Sequence, residues 1–467
     1  MRKTKIICTL GPATESAEML AKLIAAGANV FRLNMSHGSH EWVRAIVPRI
    51  RNAARLSAAN VAIMMDTQGP AIRTGDIATQ LNLKPGDTLE FTVRGARSEE
   101  EYSVDVNYDG LIDDISVGDV VMVDNGNIHM KVLSKMNNCI RCEVLTQGVL
   151  GSRRHINLPG VKVNLPPLTA KDLKDMVVGV EMQVDYFALS FCREPSDVEA
   201  MRNELTRLGS DAHIIAKIED QHAVKHVKDI IEAADAVMVA RGDLGVECPM
   251  EELPIIQRRI VKSCIRIGKP VIVATHMLES MITNPLPTRA EITDVANAVY
   301  EQADAIMLSG ETSVGKYPLQ CVEIFDRVAR RIERSGGAGF AREASIEGPR
   351  QKTVAAAVNL ANSFPQSKIV VFTHAGNMAL YVAHLRPLHA PIYAFTPDER
   401  VCRRLALPYA VAAQRIGFHS EPAKNVFEAE ATLLLKGLVE SGDHLVVVTD
   451  IVEGDRRHES VQLRLVP

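Results

Sequence analysis

The segment from residue 213 to residue 243 constrains the fold of this chain most strongly. Two short apolar runs in it, each followed by charged residues, flank a stretch with helical spacing, which predicts strand, helix and strand in succession. Lys217 and Glu219 stand two positions apart, so on a strand they point to the same face. If the two strands are parallel neighbours, Glu219 and Asp243 reach the same end of the sheet. Two carboxylates and an ammonium group there could hold a hard cation beside an anionic substrate.

The alternation of strand and helix recurs along the chain and gives eight predicted strands. A helix follows each strand except the third, and the strands are expected at 5–10, 30–33, 61–65, 185–191, 214–218, 236–240, 271–274 and 305–309. A doubly wound sheet could use the same elements. The count of eight, and the polar residues at nearly every strand end, favour a (β/α)8 TIM barrel, in which the functional site lies at the carboxyl-terminal rim.

The rhythm of the sequence divides the chain into three domains. The helical period disappears between residues 71 and 165, where short alternating runs and the hairpin signal Asn125-Gly126 indicate an inserted all-β domain. We expect a catalytic barrel at 1–70 and 166–335, the inserted β-barrel domain at 71–165, and a C-terminal α/β domain at 346–467 after a glycine-rich linker. Because the insertion follows the third strand, it could cap the rim as a lid.

Composition excludes several classes of protein. A chain of 467 residues is too long for one core, and 46% hydrophobic with 24% charged residues is ordinary for a globular protein. A net charge of -4 gives no sign of binding to nucleic acid or a membrane, and no apolar run approaches the roughly 18 residues of a spanning helix. The N-terminus lacks the length and cleavage region of a signal sequence.

Cysteine usage indicates a reducing, cytoplasmic environment. Eight cysteines are scattered along the chain, which fits reduced thiols. Cys139 and Cys142 form the single CxxC pair, and a metal or redox role for them is the alternative interpretation.

Polar residues follow the second and third predicted strands. These residues are Arg32, Asn34, Ser36 and His37 after the second strand, and Asp66, Thr67 and Arg73 after the third. Amide, hydroxyl and carboxylate oxygens suit a weakly held monovalent cation, and arginines suit phosphate oxygens. Helix capping and ordinary ion pairing are the alternative uses of the same residues.

The later strands end in residues with more specific chemistry. A lysine pointing into a barrel is costly unless it is paired or used, so Lys217 either forms an ion pair with Glu219 or takes part in chemistry. The Arg241-Gly242-Asp243 turn places backbone amides where an anion could bind. From the residues alone we expect a magnesium-dependent barrel enzyme acting on a small phosphorylated acid, and phosphoryl transfer and aldol or lyase chemistry stay open.

The chain resembles the pyruvate kinase family over nearly its whole length. Eight ordered blocks carry the resemblance: KTKIICTLGPAT, NVFRLNMSHG, DTQGPAIRTG, AKIED, VMVARGDLGVE, ATHMLESM, PTRAEITDVANAV and DAIMLSGETSVGKYP. The resemblance implies a barrel, an inserted β lid and a C-terminal α/β domain. It also implies transfer of a phosphoryl group from phosphoenolpyruvate to ADP, giving pyruvate and ATP in the last step of glycolysis, by a cytoplasmic homotetramer.

Matching positions carry the family's residue roles onto this chain. The resemblance assigns Mg²⁺ (or Mn²⁺) to Glu219 and Asp243, and gives Lys217 the neutralisation of charge on the phosphoryl group and the enolate. It assigns phosphate binding to Arg32 and Arg73. It places the substrate carboxylate on Ala240, Arg241, Gly242, Asp243 and Thr275, proton delivery on Thr275 and Ser309, the nucleotide near Pro12, Asn34, Ser36, His37 and Arg73, and K⁺ on Asn34, Ser36, Asp66 and Thr67.

The sequence departs from the family pattern in four places. Gln68 and Ala71 stand where K⁺-dependent members have Lys and Glu, and Ala71 supplies no charge, which leaves the K⁺ requirement open. His276 replaces the usual Gln, and Asn164 stands where Asp is expected. The family's Ser/Thr-rich effector turn reads THAGNM at 373–378 with one hydroxyl, and the late glycine-rich loop is absent, although Arg456 and Arg457 could bind an anion. We therefore expect weak or no activation by fructose 1,6-bisphosphate.

Overall fold

The computed structural model describes the whole chain except residues 97, 99, 101, 454 and 455, and it describes no side chains in 451–457. The anion site expected at Arg456 and Arg457 therefore lies outside the described residues. The first part of the chain alternates strands and helices: β1 (Lys5–Thr9), α1 (Ala17–Ala26), β2 (Val30–Asn34), α2 (His40–Leu56) and β3 (Ala62–Asp66). Ser16 caps the start of helix α1 by accepting the Met19 N–H, and Gly27 caps its end with a φ of 110°, which suits glycine.

The strands that follow β3 are short and mostly antiparallel. They are β4 (Leu81–Leu83), β5 (Thr88–Thr92), β6 (Ser103–Asp105), β7 (Val120–Val123), β8 (Ile128–Met136), β9 (Cys139–Val144), β10 (Gly148–Leu150) and β11 (Ile156–Asn157), with helix α3 (Leu111–Asp114) between β6 and β7. They form a six-stranded sheet and a two-stranded sheet around a hydrophobic core of their own. Strands β7 and β8 pair antiparallel across Asn125-Gly126, which confirms the predicted hairpin.

Strand–helix alternation then resumes. The elements are α4 (Ala170–Glu181), β12 (Tyr186–Leu189), α5 (Pro195–Arg207), β13 (His213–Ile218), α6 (Gln221–Lys225), α7 (Val227–Ala233), β14 (Ala236–Ala240), α8 (Arg241–Glu247), α9 (Leu253–Ile267), β15 (Val271–Ala274), α10 (Arg289–Tyr300), β16 (Ala305–Leu308), α11 (Gly310–Ser313) and α12 (Pro318–Glu333). The prediction of a single helix between β13 and β14 is wrong, because the segment divides at His226 into α6 and α7.

Eight parallel strands close into one barrel. The order around it is β1, β2, β3, β12, β13, β14, β15 and β16, with β16 pairing back onto β1. This confirms the predicted (β/α)8 barrel and rules out the doubly wound sheet. One apolar core lies between the strands and the surrounding helices, and a second fills the barrel interior. Because all eight strands are parallel, their carboxyl ends form one rim, from which the segment after β3 leaves to form the small β domain.

The last part of the chain is an α/β layer structure. It contains α13 (Pro349–Asn362), β17 (Lys368–Phe372), α14 (Asn377–His384), β18 (Ile392–Thr396), α15 (Glu399–Arg404), β19 (Val411–Arg415), α16 (Pro422–Leu435), β20 (His444–Glu453) and β21 (Arg456–Leu465). The sheet order is β19, β18, β17, β20 and β21, and only β21 is antiparallel to its neighbour. In the described part of the chain, no helix combines the length and apolar character that crossing a bilayer requires.

The C-terminal domain packs against the amino-terminal base of the barrel, opposite the rim. Ala406 and Leu407 belong to the same buried cluster as the side chains inside the barrel. Asp304, just before β16, forms a buried ion pair with Arg386 at 2.5 Å and also accepts the Tyr409 N–H at 2.9 Å. The base is therefore covered by protein, and the rim is the end of the barrel that a substrate can approach.

Candidate active site

Lys217 is the centre of a buried charge cluster at the rim. Its ammonium group lies 3.2 Å from Asp66 Oδ1 and 2.9 Å from Glu219 Oε1, and Arg32 Nε donates to Asp66 Oδ2 at 2.6 Å. Lys217 is 8% exposed and both carboxylates are buried. Burial alone would lower the pKa of Lys217, but Asp66 and Glu219 outweigh it and raise that pKa. Lys217 is therefore cationic, and the ion pair and the chemical role considered from the sequence involve the same atoms.

Ser190, which the sequence reasoning missed, organises this cluster. Its hydroxyl accepts a hydrogen bond from Lys217 Nζ at 2.8 Å and can donate to the Thr67 backbone oxygen at 2.7 Å or to Asp66 Oδ1 at 3.1 Å. The neighbouring Phe191 N–H donates to Glu219 Oε2 at 2.6 Å. A signal existed, because Ser190 is the polar residue at the end of the fourth predicted strand.

Two carboxylates stand at adjacent strand ends with different electrostatics. Lys217 on β13 pairs with Met238 on β14, so Glu219 and Asp243 follow neighbouring parallel strands, as expected. Burial raises the pKa of Glu219 to about 7, with Lys217 opposing and Asp243 adding to the shift. The burial of Glu219 thus outweighs the opposing charge of Lys217 in setting this pKa. Asp243 is half-buried.

Helix α8 is anchored to the next strand by Arg241. Its guanidinium is 8% exposed and donates to both Asp294 oxygens at 2.6 and 2.7 Å and to the Thr275 backbone oxygen at 2.7 Å. The Arg241 side chain is thus committed to structure, which leaves its backbone as the part available to a substrate. Gly242 N–H donates to Thr275 Oγ1 at 2.7 Å, so these two predicted substrate residues touch each other.

Residues at the ends of β15 and β16 have unusual backbone or hydrogen-bonding states. Thr275 has φ of 70° and His276 has φ of 55°, which non-glycine residues rarely adopt. The Ser309 hydroxyl is buried and has no hydrogen-bond partner among the described residues. Strained backbone and an unpartnered polar group both concentrate at functional sites.

The ends of β2 and β3 lie side by side. Asn34 pairs with Asp66 in the register of the two strands, and Asn34 Oδ1 accepts the Ser36 N–H at 3.1 Å. Thr67 Oγ1 donates to the Ala188 backbone oxygen at 3.1 Å. Ser36, His37 and Pro12 are exposed at this rim, and no described contact joins them to Lys217.

The small β domain overhangs the rim and brings Arg73 with it. Arg73 pairs with His155 in an isolated β-bridge, and its guanidinium donates to the Arg153 backbone oxygen at 3.2 Å. Burial lowers the pKa of His155, Asp243 opposes this shift, and Arg73 adds to it. Arg73 and Asp243 therefore both act electrostatically on His155, one from each side of the cleft.

Comparisons with known proteins agree with this architecture. A family model described as "Pyruvate kinase, barrel domain" matches residues 1–322, and one described as "Pyruvate kinase, alpha/beta domain" matches residues 351–461. The chain belongs to the pyruvate kinase family. This family consists of phosphotransferases, which agrees with the enzyme class expected from the sequence.

Individual pyruvate kinases match the chain almost end to end. Pyruvate kinase isozyme G of Nicotiana tabacum chloroplasts is 41% identical over 100% of this chain and 84% of its own length. The pyruvate kinase of Geobacillus stearothermophilus is 42% identical over 97% of this chain and 78% of its own. The crystal structure of a pyruvate kinase from Cryptosporidium parvum has a TM-score of 0.94, 34% identity, and covers 100% of this chain and 96% of that chain.

The residues at this pyruvate kinase rim fit a divalent cation that is completed by substrate oxygens. Among the described residues no group of three or more His, Cys, Asp or Glu side chains could hold a metal by itself. Magnesium sites of phosphoryl-transfer enzymes usually have one or two carboxylates, with substrate phosphates and water completing the octahedron. Glu219 and Asp243 match that donor set.

All eight cysteines are free thiols, and Cys142 is buried.

Proposed function

We propose that this chain transfers the phosphoryl group of phosphoenolpyruvate to ADP, giving pyruvate and ATP in the last step of glycolysis. The observation that carries the proposal is the position of Lys217. It is buried, cationic and held between Asp66 and Glu219 at the rim, next to Asp243. A cation held at the rim beside the proposed metal ligands is placed to stabilise negative charge on a bound anion.

The divalent ion would be held by Glu219 and Asp243. Mg²⁺ (or Mn²⁺) held there would neutralise negative charge on the substrate phosphates. Because both carboxylates end neighbouring strands, the ion site and the Lys217 ammonium group face the same region of the rim. Lys217 stabilises negative charge on the phosphoryl group in transit and on the enolate oxygen.

Backbone groups of α8 would bind the substrate carboxylate. Arg241 anchors the start of the helix to Asp294, and the Gly242–Thr275 hydrogen bond joins the turn to the end of β15. Thr275 and Ser309 end neighbouring strands, and their hydroxyls serve in delivery of the proton that converts the enolate to the ketone. The unpartnered Ser309 hydroxyl supports this role.

Arginines from two domains would hold the phosphates. Arg32 is fixed by Asp66 in the barrel, and Arg73 arrives with the overhanging lid. The nucleotide would lie along the exposed rim formed by Pro12, Asn34, Ser36 and His37. Lid closure would then bring Arg73 to the phosphates and exclude water from them.

A monovalent cation site is proposed at the ends of β2 and β3. Asn34, Ser36, Asp66 and Thr67 supply amide, hydroxyl and carboxylate oxygens within two paired strands. This donor set suits K⁺ better than a transition metal. Because Gln68 and Ala71 depart from the pattern of K⁺-dependent members, the dependence of activity on K⁺ has to be measured. We further propose a cytoplasmic homotetramer, on the family expectation alone.

One coupled assay tests the main proposal. Purified protein is incubated with phosphoenolpyruvate, ADP and Mg²⁺, with and without K⁺, and pyruvate is followed. We expect turnover that disappears when Mg²⁺ is chelated. A lack of turnover under every condition would contradict the proposal. Release of pyruvate without any ADP requirement would favour the lyase alternative.

A further inference from the structure

The lid rests on helix α8 at two consecutive residues. Gly126, in the β7–β8 hairpin, lies so close to Val246 that an added Cβ would come within 3.2 Å of its Cγ1. The Asn157 side chain on β11 donates through Nδ2 to Glu247 Oε1 at 2.9 Å. Helix α8 begins at the turn that ends in Asp243, so lid position is coupled to the helix that carries a proposed metal ligand.

The buried side-chain oxygen of Asn157 has no hydrogen-bond donor among the described residues. Asn157 is 5% exposed and Glu247 is 9% exposed. Asn157 Oδ1 is buried and receives no hydrogen bond in the described part of the chain. An ionised carboxylate can only accept hydrogen bonds, whereas a protonated one also donates. A single proton on the other oxygen of Glu247 would supply the missing donor and complete a two-hydrogen-bond pair between amide and carboxylic acid.

The acids around Glu247 also favour its protonated form. Glu219 and Asp220 lie on the wall of the same cavity of about 90 Å³, and Asp243 lies one turn earlier on α8. Burial raises the pKa of Glu247 to about 7, and Asp220 and Asp243 add to the shift while Asn157 opposes it.

Basic groups also border the cavity, and most of them are engaged elsewhere. Lys162 and His222 each lie 2.9 Å from Glu194. Arg193 lies 3.5 Å from Asp197 and donates to backbone oxygens at the lid hinge. Lys225 is exposed, and burial lowers the pKa of His155, which favours its neutral form.

We propose that Glu247 carries a proton when the lid rests on the barrel, so that lid docking takes up one proton from solvent and lid opening releases it. Glu247 is thereby a positioning residue that makes lid closure sensitive to pH. The inference that Glu247 is protonated depends only on the contact between the lid and the barrel. Its effect on turnover rests on the proposed phosphoryl transfer.

The expected direction follows from linkage. Glu247 returns towards the ordinary glutamate pKa of about 4.3 when the lid lifts it into water, so its pKa is higher in the docked state. Docking is therefore strongest at low pH and weakens as pH rises through about 7. Between pH 6 and pH 8 the docking constant should fall by about tenfold.

Infrared spectroscopy tests the protonation without substrate or turnover. Difference spectra between the wild-type chain and Glu247→Gln are recorded at pH 6 and pH 8. We expect the carbonyl stretch of one protonated carboxyl group at pH 6 that is lost at pH 8. Glu219 is present in both proteins and cancels in the difference. The lack of such a band at pH 6 would overturn the proposal. If Glu247→Gln does not fold, Asn157→Ala replaces it, and a Glu247 band unaffected by that change also overturns the proposal.

Kinetics give the second test. Glutamine copies the neutral acid and can pair with Asn157 in the same way, so Glu247→Gln should keep the lid docked from pH 6 to pH 8. Because Glu219 titrates in both proteins, the two are compared at each pH by the ratio of the wild-type KM for ADP to the KM of Glu247→Gln. That ratio should rise by up to about tenfold from pH 6 to pH 8. Asn157→Ala should raise the KM for ADP at both pH values. Equal loss in Glu247→Gln and Asn157→Ala would show that the ionised carboxylate is needed, against the proposal. Failure of the coupled assay alone would remove the phosphoryl-transfer function and leave the infrared result standing.

Discussion

At the scale of single residues, the charges around Lys217 are arranged before any substrate arrives. Lys217 has two carboxylate partners and a serine hydroxyl, and its burial makes each of these contacts strong. Such preorganised charge can stabilise a transition state without rearranging during the reaction. Two predictions about individual side chains follow from this geometry.

Replacing Lys217 by alanine should reduce kcat by at least about 100-fold, because the charge that stabilises the phosphoryl group and the enolate is lost. Magnesium binding should persist, since the proposed ligands Glu219 and Asp243 are unchanged. Steady-state kinetics and calorimetric titration with Mg²⁺ measure the two effects. Lys22→Ala, which removes an exposed lysine paired with Glu18 at 2.6 Å, is the matched control and should change neither. A Lys217→Ala enzyme of nearly normal kcat would contradict the role.

Magnesium affinity should depend on pH through Glu219. The pKa of this carboxyl group is raised to about 7 in the metal-free protein, so below that pH a proton must leave before Mg²⁺ binds. Affinity should fall by about tenfold per pH unit below 7. Calorimetry with Mg²⁺ alone between pH 5.5 and pH 8 measures it, and a flat profile would refute the prediction.

The sequence identified the charged residues of this cluster and missed the neutral ones. Lys217, Glu219 and Asp243 stand out because charged side chains beside buried strands need a reason. Ser190 does not stand out, since serine at a strand end is common and its value here depends on which strand becomes the neighbour. The commitment of the Arg241 side chain to Asp294 depends on packing between α8 and α10, which the local sequence does not specify.

At the scale of elements, helix α8 takes part in two contacts at once. It carries the proposed substrate-binding turn at one end and the lid contact at the other, within the seven residues Arg241–Glu247. So short a helix has little stability of its own and depends on its anchors. The sequence indicated this segment only as a turn. It also suggested one helix between β13 and β14, because helical spacing does not reveal the break at His226.

Removing the α8 anchor should weaken substrate binding and stability together. Asp294→Ala leaves the Arg241 guanidinium without its carboxylate, and loss of hydrogen bonds to a buried charge costs about 1.5–3 kcal/mol. The KM for phosphoenolpyruvate should rise more than the KM for ADP, since the turn from 240 to 243 is displaced. Denaturant unfolding and steady-state kinetics measure these effects. The surface variant Glu204→Ala, which breaks an exposed pair with Arg207, serves as control. Equal changes in both KM values would argue against the anchor.

At the scale of the whole molecule, the barrel and the C-terminal domain share buried charges. Arg386 and Asp304 are both almost fully buried at 2.5 Å from one another, and Asp304 also accepts the Val271 N–H at 3.0 Å. The alternation of strands and helices predicted the barrel from sequence, because a series of eight such strands is typical of a (β/α)8 barrel. This contact was not predictable, because its partners are separated by many residues and nothing in the local sequence around Asp304 points to Arg386.

Breaking that pair should destabilise the protein as one unit. Arg386→Ala leaves a buried carboxylate without its cationic partner and should cost about 3–5 kcal/mol of unfolding free energy. The double variant Asp304→Asn with Arg386→Met should recover part of the loss, which a double-mutant cycle quantifies. Additive losses in the double variant would contradict the importance of the pair.

The C-terminal cavity argues for weak control by sugar bisphosphates. A cavity of about 440 Å³ lies beside the 373–378 turn, and Arg350 on its wall is paired with Glu459 at 2.6 Å. We expect fructose 1,6-bisphosphate to leave half-saturation by phosphoenolpyruvate nearly unchanged. Saturation curves with and without the sugar measure this, with Arg350→Ala as a comparison. A large drop in half-saturation would refute the prediction.

The cover over the barrel base has a consequence for biosynthesis. A nascent chain has all eight barrel strands once Leu308 has left the ribosome, yet Ala406 and Leu407, which close the apolar interior, are translated much later. The Ala410 N–H also donates to the Lys3 backbone oxygen at 2.9 Å. The start of the chain therefore gains this contact only after the same late segment has been synthesised. During that interval an apolar ring is open to water and to other chains. The unfinished barrel is therefore the stage of synthesis at which protection by chaperones matters most.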